Sequence, residues 1–181
     1  MLYMPVDLIH QFMIDVFAGL GTPRKEAQTC ADVLITSDLR GIESHGVGRL
    51  KYYYDRIRAG VQSVETEIEV VKETETTAVL DGHNGMGHVI AHRAMRLAMD
   101  KAREYGLGAV AVRNGTHFGI AGFYPLMAAG EGMIGLCVTN ARPAQAPTFG
   151  TEPMLGTNPI AFAAPSDMAF PFCLDAATSI S

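Results

Sequence analysis

Apolar residues keep a helical spacing from Val6 to Gly60, and near Thr66 that spacing gives way to alternation. A chain that switches period in this way must join a helical segment to a sheet, so an all-helical bundle and an all-β barrel are both excluded. In the first part, Val6, Ile9, Met13, Val16 and Leu20 predict one helix face. Thr22 and Pro23 predict the N-cap and first turn of a second helix, with Ala27, Cys30, Ala31 and Leu34 as its inner stripe to about Leu39. Val47, Leu50, Tyr54 and Ile57 predict a third, ending at Gly60. From 66 onward, Ile68 and Val70 alternate with glutamates, and Thr77 to Leu80 is a second β-rich run. A helix is expected from about Gly87 to Tyr105, with Ile90, Ala94, Leu97 and Ala98 inside and Gly106 as its cap.

Gly108 to Val112 is too uniformly apolar for a half-exposed strand and predicts one covered on both faces, as in a parallel sheet. A short helix over about 121–129 and a strand over 133–139 would continue a βαβ pattern, with shorter strands at 159–164 and 170–174. The residues from Asp175 read as a strand end entering a helix. The expected organisation is therefore an N-terminal helical segment, 1–65, followed by a mixed α/β domain, 66–181.

Composition narrows the functions. With 48% hydrophobic residues in 181, the chain can build a real core. Nineteen acidic against 14 basic residues give a net charge of -5 with scattered cations, which excludes the basic footprint of a nucleic-acid binder and argues against an anionic membrane surface. Glycines and Pro125 break the most apolar stretch, 120–138, into pieces too short to span a bilayer. Met1 to Pro5 lacks the features of a signal peptide, and three scattered cysteines suit a reducing cytoplasm.

Two stretches, 130–135 and 106–111, match the glycine spacing of a dinucleotide fingerprint, but each follows a helix and enters a strand, the reverse of what phosphate binding requires. Both are expected to be helix caps. His88 and His92 have a chelating spacing but lack the glutamate of a zincin pair, so no metal site is expected there; with His10 and His83 they read as solvated or capping residues. His45 stands in a connection between helices, with Arg49 placed to point the same way, a pairing that favours neutral imidazole and could grip a carboxylate. His117 lies in a glycine-flanked loop at the C-terminal end of an apolar strand, where open α/β sheets place ligands. Asp175 ends another strand just before Thr178 and Ser179. For each of these groups a purely structural role is an open alternative.

In order along the chain, Arg40-Gly41-x-x-Ser44-His45-Gly46 with Arg49, Asn114-Gly115-Thr116-His117-Phe118-Gly119, Gly156-Thr157-Asn158-Pro159-Ile160-Ala161-Phe162 and Asp175-x-Ala177-Thr178-Ser179 resemble the malate/L-lactate dehydrogenase family, which is distinct from the ordinary Rossmann dehydrogenases. That family includes enzymes of malate, sulfolactate, ureidoglycolate, diketogulonate and cyclic imino acids. The resemblance implies a non-Rossmann nucleotide fold, NAD or NADP as cofactor, a small 2-hydroxy/2-keto or imino acid as substrate, and a homodimer with its active site between domains. It implies His45 as the acid/base residue with Arg49 and Asp175 as relay or substrate-orienting partners, or His117 in the proton-carrying role. His117, Asn140, Thr157, Asn158, Asp175, Thr178 and Ser179 would stand near cofactor or substrate. Family members are far longer, so the nucleotide domain is expected to be incomplete at the C-terminus, with apolar residues of 133–139 and 170–174 left bare. A non-catalytic remnant that only binds or dimerises is the competing reading.

Overall fold

The structure is a computed structural model and describes residues 4–179. The expectations for Met1 to Tyr3, and for a helix running on through Ile180 and Ser181, lie outside those residues. Two compact units divide the chain, one ending at Ile120 and the next beginning at Ala121.

In the first unit, helices α1 (Val6–Gly19) and α2 (Arg24–Leu39) pack together, followed by two 3-10 turns (Glu43–His45 and Val47–Arg49) and α3 (Leu50–Arg58). The core they share comprises Met13, Ile14, Phe17, Ala27, Cys30, Ala31, Leu34, Leu50, Tyr53 and Met86. All four residues of the expected α2 stripe are fully buried. The α1 stripe is rotated from the expected one: Met13, Ile14 and Phe17 go inside while Val6 is 44% exposed. Phe17 extends the Met13 row by one turn, and burying a side chain of that size contributes about 1.5–3 kcal/mol. Thr22 does not cap α2, which starts after Pro23 without a side-chain cap; the Thr22 hydroxyl is buried and unpartnered. In α3 the inward tyrosine is Tyr53, not Tyr54, because the 3-10 turn delays the helix to Leu50 and shifts its phase.

Strands β1 (Glu69–Glu73), β2 (Thr77–Asp81) and β3 (Ala109–Arg113) form one sheet in that order. β1 and β2 are antiparallel, and β2 pairs with β3 in parallel across helix α4 (Gly87–Tyr105), a βαβ unit. Gly106, at φ 82°, caps α4 as expected. β3 lies at the sheet's edge and is largely exposed, so the expectation of cover on both faces fails within these residues: α4 packs against it, and nothing described covers the rest.

The second unit holds helix α5 (Phe123–Ala129) and a separate antiparallel sheet of β4 (Gly135–Val138), β5 (Ile160–Ala164) and β6 (Phe172–Ala176). The expected continuation of βαβ through α5 is thereby corrected, since β3 and β4 belong to different sheets. α5 packs on β4 and β5. The alternate residues, Leu136, Val138, Ile160, Phe172 and Leu174, are all at least 42% exposed and give the sheet one open apolar face among the described residues. Both glycine-rich matches end helices and enter strands. Among the described residues no helix is long and apolar enough to cross a membrane.

Candidate active site

The C-terminal ends of the parallel strands β2 and β3 define one end of the first unit. Asp81, the last residue of β2, is nearly enclosed and gathers the loops there. Its carboxylate accepts the His83 backbone N–H at 3.0 Å, both contacts from the Asn114 amide at 2.9 and 3.0 Å, and Arg113 Nε at 2.7 Å. Those donors, led by the His83 amide and the Asn114 side chain, hold the Asp81 carboxyl down to about 2.

The loop leaving β3 is pinned again two residues later. Thr116 donates its hydroxyl to the Gly85 carbonyl at 2.7 Å and accepts the Gly87 N–H at 3.0 Å. Gly87 starts α4 directly against the carbonyls of Thr116 and His117, where a Cβ would collide with both. His117 is thus placed by a clamped loop. Asp81→Asn is expected to release it: amide exchange over 114–119 should quicken, and thermal stability should fall at neutral pH. Because the folded carboxyl titrates below the ordinary value of about 4, its contribution is present above that value and lost as pH falls through about 2. The melting-temperature gap between variant and wild type should therefore begin to close below about pH 4. A gap that is pH-independent, or absent, would refute the clamp.

His45 is placed from the other side. Asp38, at the end of α2, accepts the Val47 N–H at 2.8 Å, and Gly46 lies so close to that carboxylate that any Cβ would overlap it. Ser44 lies 2.9 Å from His45 Nδ1. The His45 and His117 rings stack, with centroids 5.5 Å apart and planes at 25°. The guanidinium carbons of Arg49 and Arg56 stand 5.1 and 5.5 Å from the centroid of one Tyr52 ring, which also packs against His117. Nε of each arginine is buried without a hydrogen-bond partner. Burial first, then His45, Arg49 and Arg56, lowers the His117 imidazole to about 4. The structure therefore brings His45, Arg49 and His117 together.

Sequence reading missed four participants. Tyr52, Tyr53 and Arg56 follow Arg49 at three-, four- and seven-residue spacing along α3, a face legible once Arg49 is taken as its start. His88, expected to be solvated or capping, is instead wholly buried and bonded to the Tyr53 hydroxyl at 3.1 Å. His10 bonds Asp32 at 2.7 Å, and His83 sits in the turn at φ 45°. His92 is half-buried, and among the described residues no three ligating side chains gather as a metal site would require. A shallow depression lined by Leu20, Ile57, Gln62, Val64, His83 and Asn84 shares no residue with the histidine cluster.

The other expected site residues belong to the second unit. Asp175, exposed on β6, accepts the Gly122 N–H at 2.7 Å. Asn158, at φ 37°, accepts the Ala141 N–H at 2.8 Å, which leaves its amide NH2 to donate. Thr178 and Ser179 do not begin a helix within the described residues. Their hydroxyls donate to the Asn158 and Gly156 carbonyls at 3.0 and 2.7 Å, and the Thr178 N–H to the Thr157 carbonyl at 2.9 Å. Thr157 is half-buried and Asn140 exposed beside this knot.

A mixed α/β fold thus sets His117 in the loop at the C-terminal end of a parallel strand, beside the His45 imidazole and the guanidiniums of Arg49 and Arg56, the kind of place where open α/β sheets hold ligands. The chain belongs to the malate/L-lactate dehydrogenase family, whose model matches residues 4–181. It is 53% identical over 176 residues to a malate dehydrogenase of Pyrococcus abyssi, covering 97% of this chain and 48% of that protein. It is 44% identical over 169 residues to an L-sulfolactate dehydrogenase of Methanocaldococcus jannaschii, covering 93% of this chain and 49% of the relative. Among solved structures, malate dehydrogenase from Pyrococcus horikoshii OT3 superimposes with a TM-score of 0.96 at 49% identity, over 99% of this chain and 51% of that one. The chain spans about half the length of the relatives it matches.

Proposed function

We propose that this chain carries the substrate-handling residues of an oxidoreductase that moves a hydride between NAD or NADP and a small malate- or lactate-like 2-hydroxy/2-keto acid, or an imino acid. The observation that supports this most is the pair of guanidiniums, Arg49 and Arg56, which have no acidic partner among the described residues and stand beside two imidazoles. Such a cluster is complementary to a carboxylate next to an oxygen that gains or loses a proton.

The residues fit that chemistry role by role. Arg49 grips the substrate carboxylate, and that grip fixes the reacting carbon. His117 carries the proton: neutral at physiological pH, it donates its ring N–H to the carbonyl oxygen in reduction and yields that proton to the alkoxide as hydride arrives, with water returning a proton to the ring; oxidation runs the same steps in reverse. His45 shapes its electrostatics by stacking on it. The nicotinamide cofactor, when bound, accepts or supplies the hydride. The donor set of the second unit suits its polar groups, since the Asn158 amide NH2 can donate while its oxygen is held by Ala141, Thr157 and Asn140 are its near neighbours in the loops, Thr178 and Ser179 brace the loop and Asp175 adds a carboxylate. A homodimer in the cytoplasm belongs to the same reading, consistent with three free cysteines.

The test is a chimera of this chain with the C-terminal half of the Pyrococcus horikoshii enzyme, assayed for oxidation of NADH and NADPH by 2-keto acids. Arg49→Gln is expected to raise KM for the keto acid about 10- to 100-fold, the worth of a charged two-pronged contact. The corresponding amide, which carries no carboxylate, should be indifferent to the change. Saturable nicotinamide binding without any acid-dependent turnover would favour the non-catalytic alternative.

A further inference from the structure

Behind His117 runs a line of polar groups that the chemistry above does not use. The Tyr53 hydroxyl lies 2.7 Å from His117 Nδ1 on one side and 3.1 Å from His88 Nε2 on the other. Tyr53 and His88 are both fully buried in the first unit, where the two rings pack edge-on at 4.7 Å. Such groups are costly to bury unless each bond has a donor and an acceptor in the right order.

That order is fixed at one end. The Gly119 N–H also points at His117 Nδ1, at 3.3 Å, and an amide can only donate. His117 Nδ1 is therefore a bare acceptor, and the ring's proton sits on Nε2. Tyr53 has one proton, and it goes to His117 Nδ1. The Tyr53 oxygen then accepts from His88, so His88 too carries its proton on Nε2. The far end agrees, since His88 Nδ1 is buried with no partner, a lesser cost for a bare nitrogen than for an N–H.

We propose that Tyr53, oriented by His88, is a positioning residue that locks the His117 ring with its proton on Nε2, the only ring nitrogen left to face a substrate. The role rests on His117 being the proton carrier, but the lock is a property of this chain alone. A hydrogen-bond partner that fixes an imidazole's tautomer also fixes its plane, and proton transfer depends on both.

Long-range proton–nitrogen NMR of the histidine rings in the 181-residue chain tests the lock directly. Wild type should show His117 and His88 protonated on Nε2, and a slowly exchanging Tyr53 hydroxyl proton. In Tyr53→Phe, which keeps the ring, the His117 Nδ1 resonance should move toward its unbonded position, since only the longer Gly119 contact is left. His88→Gln, which preserves a donor to the Tyr53 oxygen, should leave His117 as in wild type, and His88→Leu should not; these two keep the test sharp if the tyrosine variant folds poorly. Either ring protonated on Nδ1 in wild type, or a His117 spectrum indifferent to both Tyr53→Phe and His88→Leu, overturns the proposal. In the chimera, Tyr53→Phe should lower kcat about tenfold or more with KM nearly unchanged. The opposite split, a raised KM with kcat kept, would mean that Tyr53 contacts substrate instead. Failure of the dehydrogenase reading would be seen separately, as a wild-type chimera without turnover while the ring spectra remain as described.

Discussion

His117→Ala in the chimera is expected to lower kcat/KM by about 10²–10⁴-fold, the span usual for losing a positioned general acid or base. His45→Ala should cost less, because His45 acts on His117 through ring stacking and charge. The double variant should be little worse than His117→Ala alone, since groups that act as one unit do not lose activity additively. Added imidazole should restore part of the loss in His117→Ala, where the removed ring leaves room, and none in Arg49→Gln. Wild-type turnover in the double variant would end the assignment. A profile in which His45→Ala is the more damaging change would exchange the two roles.

Much of the architecture was legible because it depends on local period. Helix α4 has the expected bounds, and the four small and apolar residues of the α2 stripe are all inside. What failed was phase and pairing. Tyr53 and Tyr54 are equally plausible inward residues until the start of α3 is known, and that start is set by two 3-10 turns hung from the Asp38 carboxylate, a contact between residues nine apart that no hydrophobic pattern encodes. The uniform apolarity of Gly108 to Val112 correctly indicated a strand in parallel pairing, but apolarity measures what a strand could bury rather than what lies beside it.

The site divides along the same line. His45, Arg49 and His117 could be selected because they stand in glycine-rich connections, where side chains are free for chemistry. Tyr53 and His88 could not, since each occupies a position in a helix where an ordinary core residue would serve. The spacing of His88 and His92 suggested a shared helix face, yet the former is fully buried and the latter only half so. A buried polar residue becomes recognisable as functional only when its partner is known, and here the partners are 35 and 64 positions apart in sequence.

The buried histidines also set the chain's response to acid. Burial, followed by the neighbouring His117, lowers His88 to about 3, and His117 itself lies at about 4. Both are neutral in the folded chain, whereas an unfolded histidine takes up a proton below about 6.5. Between those limits the unfolded state binds more protons, so stability must fall with pH, and the fall starts at about 6.5 rather than in the carboxylate range. For His88 alone the loss should reach on the order of 3 kcal/mol by pH 4, a large share of the 5–15 kcal/mol or so that typically holds a domain folded. Urea unfolding of the first unit, followed by tyrosine fluorescence from pH 7.5 to about 4, should show the midpoint dropping steadily across that interval. His88→Gln, which cannot take up the proton but can still donate to Tyr53, should flatten the slope while costing some stability at neutral pH. A wild-type midpoint that stays level until about pH 4 would mean that His88 is solvated or charged in the native protein, and the buried His88–Tyr53–His117 line would fall with it.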